Sequence, residues 1–422
     1  MIKVYLRNTT LTAILAHSII IVTLYFLMNW YGIFAAIPNQ QNLLNWDANW
    51  YFSILKNGYV FVPNDACNLA FFPFFPYFWK ILGLTPQYMS LLNMLIFFSS
   101  VYFLIKKYDL PVLSILILLS IPSLLFMGVP YSEALFFSFS TVILKGYQNN
   151  APNLRRLGFF LVSMIRSVSL IFIPAIVITE FLTGNNQEGI VTRIKKITLD
   201  ILSCLLGLAV SSTIQFVQTG KWFYFLTVQK YWGREWHIPH FPLTTYSPGR
   251  ILELDGISFC LGVLALSCLC KKVYSMYFKK DSNTESKWGM GAALIFSCLY
   301  ITGTTIISTC FTQSYMDNTN ITSLNRYLLC TPFAFLFIIY LIRDFEPQKL
   351  TLIFYGLIPL LGLYITGVYR HYVALFYVAF FINIAFMRFH PYFQYVALPF
   401  YVISLYAQIH FYHDFLLSKW VG

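Results

Sequence analysis

Charge is what this sequence has least of: Asp, Glu, Lys and Arg make up only 10% of its 422 residues, against 58% hydrophobic and 19% aromatic. A water-soluble chain of this size cannot cover itself with so few charges, so the bilayer is the expected solvent. Also missing is a polar stretch long enough for a separate soluble domain. Apolar runs of the roughly 20 residues that a crossing helix needs recur along nearly the whole chain, and residues 1–422 read as one transmembrane domain. The eight cysteines lack metal-ligand spacing; Cys268 and Cys270 are two apart, and Cys204, Cys260, Cys298, Cys310 and Cys330 sit in or beside apolar segments, as small core residues do. The sequence contains no Asp-x-Asp pair, glycine-rich phosphate loop or histidine cluster, so neither a metal nor a resident cofactor is expected. A repeat of 20 to 50 residues is likewise absent, which weakens a transporter built from duplicated halves.

The charge that is present is net +12, but its Lys and Arg fall in pairs at the ends of apolar runs. That is the positive-inside pattern of a membrane protein, not the basic stripe of a nucleic-acid binder. Lys3 and Arg7 put the N-terminus in the cytoplasm, and the apolar run after them is too long and aromatic-rich for a cleaved leader. Residues 37–85 then form a first extracytoplasmic loop, where Pro63, Pro73, Pro76 and Pro86 interrupt helical hydrogen bonding and short interfacial helices are expected. The pairs Lys106/Lys107, Arg155/Arg156 and Lys271/Lys272, with Arg193, Lys195, Lys196, Arg343 and Arg388, fall inside on this count. Arg370 falls outside, against the trend. Because basic clusters flank 157–182 on the same side and the segment has room for one crossing, it reads as a re-entrant or short helix pair. Its tip lies near Arg166 and Ser167, with Arg166 facing a cavity, since irregular backbone at membrane depth must line protein or water. Residues 219–250 form a second extracytoplasmic loop. The expected fold class is an all-α polytopic membrane protein.

The most informative stretch runs from Asn45 to Tyr59. Trp46, Trp50, Tyr51, Ile54 and Leu55 share one helical face, Asp47, Asn49, Ser53, Lys56 and Asn57 lie opposite, and Gly58 is a natural stop. This is the pattern of an interfacial amphipathic helix. Asp47 falls in its first turn, where the helix dipole favours the carboxylate anion. Such a group at the lipid–water boundary can act as general base towards a sugar hydroxyl, and it equally fits an ordinary helix-start residue. Glu133 and Arg166 also fall at the outer surface, where ionisable groups are costly and mark function. Arg166 can bind phosphate oxygens or pair with Glu133 to hold the re-entrant tip. In the second loop Lys230, Arg234, His237 and His240, with Trp222, Trp232 and Trp236, can grip a phosphate and stack on sugar rings, or simply form an aromatic belt.

The strings Trp46-Asp47-Ala48-Asn49-Trp50-Tyr51, Asn57-Gly58-Tyr59 and Ala70-Phe71-Phe72-Pro73-Phe74-Phe75-Pro76 closely resemble the opening of the PIG-V family. That family comprises the GPI mannosyltransferase 2 enzymes and their bacterial relatives, within the GT-C superfamily of glycosyltransferases. Further matches follow in the family's order: Pro130-Tyr131-Ser132-Glu133-Ala134-Leu135-Phe136, Arg166-Ser167, Gln229-Lys230-Tyr231-Trp232-Gly233-Arg234, and Asn325-Arg326-Tyr327-Leu328. The resemblance covers roughly residues 40–335. It departs at Ile165, where the family usually has Thr, and in the longer interval between Tyr59 and Ala70.

The resemblance implies a GT-C-type bundle of about 11–13 transmembrane segments with an outer-facing site. It implies a polyprenyl- or dolichyl-phosphate sugar as donor, a glycolipid or glycan as acceptor, and inversion at the anomeric carbon. Asp47 carries over as the catalytic base. Beside the resemblance, the residues' own chemistry makes Arg166, Glu133, Arg234, Arg326 and Tyr327 candidates for binding the donor phosphate or for positioning, although Arg326 and Tyr327 also fit a helix end anchored by snorkelling. Trp46, Trp50, Tyr59, Gln229 and Trp232 would line the substrate loops. A bacterial plasma membrane is favoured over the endoplasmic reticulum, with membrane lipids as neighbours and room for a partner subunit. The competing readings are a polytopic lipid or sugar transporter and a non-catalytic membrane assembly subunit.

Overall fold

The structure is a computed structural model, and it describes residues 9–167, 171–183, 189–245, 253–278, 290–315, 317–343, 349–365, 370–386 and 394–421. Lys3, Arg7 and Arg388 lie outside the described residues. Helices dominate. In chain order they are α1 (Thr9–Trp30), α2 (Asp47–Asn57), α3 (Phe74–Leu82), α4 (Pro86–Ile105), α5 (Val112–Leu119), α6 (Glu133–Gln148), α7 (Pro152–Ser163), α8 (Phe172–Thr183) and α9 (Ile190–Thr219). They continue as α10 (Tyr224–Thr227), α11 (Leu254–Phe278), α12 (Ala292–Cys310), α13 (Leu324–Leu329), α14 (Pro332–Arg343), α15 (Lys349–Ile365), α16 (His371–Phe386) and α17 (Gln394–Leu416).

Five of these, α1, α4, α9, α11 and α12, are long and apolar enough to cross a bilayer. A sixth crossing arises if the 3₁₀ segment Pro122–Gly128 and α6 count as one span bent by 100°. The helices α8, α14 and most of α16 are apolar but shorter. The chain is therefore an α-helical, multi-pass, membrane-embedded protein. The long helices are not equivalent. Only 22% of the most apolar stretch of α1 is buried inside the protein, against 67% for α12, so α1 offers most of its surface to lipid while α12 is a central strut.

Where helices come closest, glycine sits at the contact, as expected when backbone approach rather than water exclusion holds helices together. Gly158 of α7 lies against Ile143 and the Phe139 carbonyl of α6, and Gly207 of α9 lies against the Phe160 carbonyl of α7. All eight cysteines are free.

The expectation of an all-α fold needs one correction. The loop after α9 contributes a short strand β1 (Glu235–Trp236) that pairs antiparallel with β2 (Phe311–Tyr315), which pairs in turn with β3 (Asn318–Asn320). Glu235 lies opposite Thr312, and Gln313 opposite Asn320. Two loops that run side by side beyond the helix ends have N–H and C=O groups to satisfy, and pairing them across the gap is the local solution. The small sheet ties the loop after α9 to the α12–α13 connection.

Candidate active site

The site begins with α2. Tyr51 packs edge-on against Phe71 and Phe75, with ring centroids 5.1 and 4.9 Å away, so α2 lies on α3 through its buried residues Ala48, Tyr51 and Ile54. This inward face differs from the one expected. Trp46 has φ +54° and precedes the helix rather than continuing it, so it leaves the helical face, is 41% exposed, packs on Trp420 and donates its indole N–H to the Lys419 carbonyl at 3.2 Å. Small Ala48 takes the inward position instead. Gly58 ends the helix at φ +75°, a conformation that suits glycine.

Two hydrogen bonds fasten α2 to the segment before α6. The Asp47 N–H donates to the Tyr131 hydroxyl at 3.2 Å, and the Tyr51 hydroxyl donates to Ser132 Oγ at 2.9 Å. Burial pushes the Tyr51 phenol above its ordinary range, helped by the nearby Glu133 and Asp47 carboxylates, so it remains a donor. The 129–132 segment is itself pinned from below. Asn93 of α4 donates its amide N–H groups to the Val129 and Tyr131 carbonyls at 2.7 and 2.9 Å. On the far side α13 is aimed by Asp255 of α11, whose Oδ1 accepts both the backbone and the side-chain N–H of Asn325 at 2.8 Å.

Between these supports a chain of charges closes. Arg326 Nη2 meets Asp47 Oδ2 at 2.6 Å, and Arg326 Nε donates to Glu133 Oε1. The same Glu133 oxygen meets Arg166 Nη2 at 3.2 Å. Arg166, between α7 and α8, lies over the Tyr327 ring at 5.0 Å, and Arg234 donates to the Tyr327 hydroxyl at 2.9 Å. That phenol favours the charged guanidinium of Arg234 further. Arg326 lies beside a stacked aromatic pair, with Tyr131 at 4.6 Å and Phe126 at 5.2 Å from its guanidinium carbon. Six residues from the first loop, α6, the α7–α8 turn, the second loop and α13 thus meet in one place.

Burial is graded along this chain. The Glu133 side chain is fully buried and that of Arg326 is 3% exposed, whereas Asp47 keeps 19% of its side-chain surface open. Among the described residues three guanidinium groups face two carboxylates, a surplus of one positive charge. An unbalanced charge at this depth is costly unless an anion completes it.

The chain matches no family model, no curated protein and no solved structure. The site is therefore read from its own geometry, beside the motif resemblance.

Of the residues named from sequence, Asp47, Glu133, Arg166, Arg234, Arg326 and Tyr327 converge. Trp50 and Trp232 come together as well: their rings meet edge-to-face at 5.4 Å, with Phe71 stacked on Trp50 at 6.1 Å and 5.9 Å from Trp232. Tyr59 and Gln229 are placed differently. Tyr59 is buried, its hydroxyl donates to the Phe71 carbonyl at 2.8 Å and its backbone N–H donates to Gln218 Oε1 at 2.7 Å, and Gln229 donates back to the Phe225 carbonyl at 3.1 Å. His237 and His240 contact Thr319 beside the small sheet, and Lys230 is exposed. Among the described residues no group of three His, Cys, Asp or Glu is arranged to hold a metal.

Sequence reasoning missed the supports: Tyr131, Asn93, Asp255. The last two carried a signal, an amide and a carboxylate inside otherwise apolar spans, where a polar group needs a specific partner.

Proposed function

We propose that this chain is an inverting glycosyltransferase of GT-C type, a mannosyltransferase or another hexosyltransferase. It transfers a hexose from a polyprenyl- or dolichyl-phosphate sugar to a lipid-linked or glycan acceptor on the extracytoplasmic side. On this reading the shorter helices complete a bundle of about 11–13 crossings, and the chain is a bacterial-type relative of the PIG-V enzymes in a plasma membrane.

The observation that carries the proposal is the Asp47 carboxylate, which keeps 19% of its side-chain surface open beside the buried Arg326, Glu133 and Arg166. Asp47 takes the proton from an acceptor hydroxyl as that oxygen attacks the anomeric carbon from the face opposite the lipid phosphate. The bond between the anomeric carbon and the phosphate oxygen breaks with its electron pair going to the oxygen, and the lipid phosphate leaves with one more negative charge. Arg234 is the cation best suited to receive it, because the hydrogen bond it makes is to the Tyr327 hydroxyl rather than to a carboxylate. Arg166 and Arg326 are engaged by Glu133 and Asp47 and position the catalytic carboxylate. The Trp50–Phe71–Trp232 wall offers aromatic faces for a sugar ring.

The test is to supply membranes containing the chain with radiolabelled polyprenyl-phosphate mannose and crude lipid acceptors. Label in a new glycosidic bond is expected. Label that changes leaflet with no new bond would overturn the proposal in favour of a transporter, and no change at all would favour a non-catalytic subunit.

A further inference from the structure

Away from the charged cluster, a cavity of about 310 Å³ lies between α1, α4, α17 and the 3₁₀ segment Pro122–Gly128. We infer that it is a binding site for one hydrocarbon chain of a membrane lipid. The inference needs only that the chain is membrane-embedded and does not depend on the transfer reaction.

The walls are almost wholly apolar, with Ile21, Met94, Phe97, Leu124 and Ile409 among them. An apolar cavity of about 150 Å³ stays dry and accepts a benzene ring, so one twice that size takes about a dozen carbons. Its shape selects a chain. The lining on α4 runs from Gln87 to Phe98, a rise of about 16 Å at 1.5 Å per residue. So small a volume drawn out over that length is a tube rather than a chamber.

The position selects lipid. Val22, Phe26 and Leu91 line the cavity and are also 45%, 51% and 56% exposed, on two of the helices that are long and apolar enough to cross the bilayer. The tube therefore opens through a surface whose solvent is acyl chains. At its α4 N-terminal end Gln87 Oε1 is buried with no hydrogen-bond donor among the described residues. That orphan acceptor fits a hydrogen-bond donor at the polar end of a lipid, such as an ethanolamine ammonium group.

The full-length chain in nanodiscs containing phosphatidylethanolamine with a mid-chain diazirine provides the test, with the photolabelled peptides mapped by mass spectrometry. Label is expected at cavity residues of α1 and α4, above the general labelling of exposed lipid-facing residues such as Leu206 of α9. Met94→Trp fills the tube and is expected to lower cavity labelling about tenfold while leaving labelling of α9 unchanged. Leu91→Trp, at the exposed mouth where folding is less at risk, is expected to lower it in the same direction. Uniform labelling of all lipid-facing helices, or cavity labelling that both variants leave intact, would overturn the inference.

Discussion

Among the described residues, two buried clusters of arginines and carboxylates are joined by one helix, and their difference teaches more than either alone. Beyond the C-terminal end of α7, Arg166 belongs to the outer cluster with Glu133, Arg326, Asp47 and Arg234. In the first turn of α7, Arg155 meets Asp200 of α9 at 2.5 Å and Glu180 of α8 at 3.6 Å, and Arg156 meets the other Asp200 oxygen at 3.3 Å. Among the described contacts the inner set pairs two guanidinium groups with two carboxylates. Arg155 further lies over the Tyr147 ring at 4.5 Å, and the Asp200 side chain is fully buried. Such a knot holds α7, α8 and α9 together and asks nothing of a ligand. The outer set is unbalanced, graded in exposure and bordered by aromatic faces. Its surplus charge and its open carboxylate are what a purely structural lock would not keep.

That contrast can be broken or sharpened by substitution. The largest effect is expected from Glu133→Gln, which leaves both Arg166 and Arg326 without their buried counter-charge and raises the outer surplus. A loss of about 3–5 kcal/mol of stability, read as an earlier unfolding transition in detergent, should accompany loss of transfer. Asp200→Asn also strips a carboxylate from two arginines, but Glu180 remains beside Arg155. Its cost should approach the lower end of that range, about 3 kcal/mol, with turnover per folded molecule unchanged. If Asp200→Asn abolished turnover in folded protein, the division into a lock and a site would fail.

A smaller effect is expected at Arg234. Arg234→Gln should raise KM for the lipid-phosphate donor about tenfold and remove any thermal stabilisation that a phosphomonoester gives the wild-type chain. The smallest belongs to Tyr59→Phe. Losing one buried hydrogen bond costs about 0.5–1.5 kcal/mol, and because Tyr59 supports the loop core, neither KM nor kcat should move.

Much of this was legible in the sequence where a pattern is local. A helix with Asp47 in its first turn and a stop at Gly58 follows from amphipathic periodicity and glycine's conformational freedom, and α7 ends at Ser163, shortly before Arg166. What was not legible depends on distant partners. Nothing local says that Arg326 would span from Asp47 to Glu133, or that Asp255 would orient Asn325 beside it. Strands as short as Glu235–Trp236 carry no alternation to read, so the sheet was invisible. Trp46 misled because one positive φ took it off the helix whose face it seemed to share. Tyr59 and Gln229 misled for a different reason: a motif groups neighbours in sequence, while these two side chains turn into the loop's own packing.

The central claim is that the Asp47 carboxylate does chemistry rather than merely pairing with Arg326. The most direct measurement is steady-state transfer by Asp47→Asn, whose amide oxygen can still accept from Arg326, compared with wild type at equal amounts of folded protein. The account predicts a fall in kcat of about 10²- to 10⁴-fold with donor KM nearly retained. Turnover equal to wild type in folded Asp47→Asn protein would contradict it.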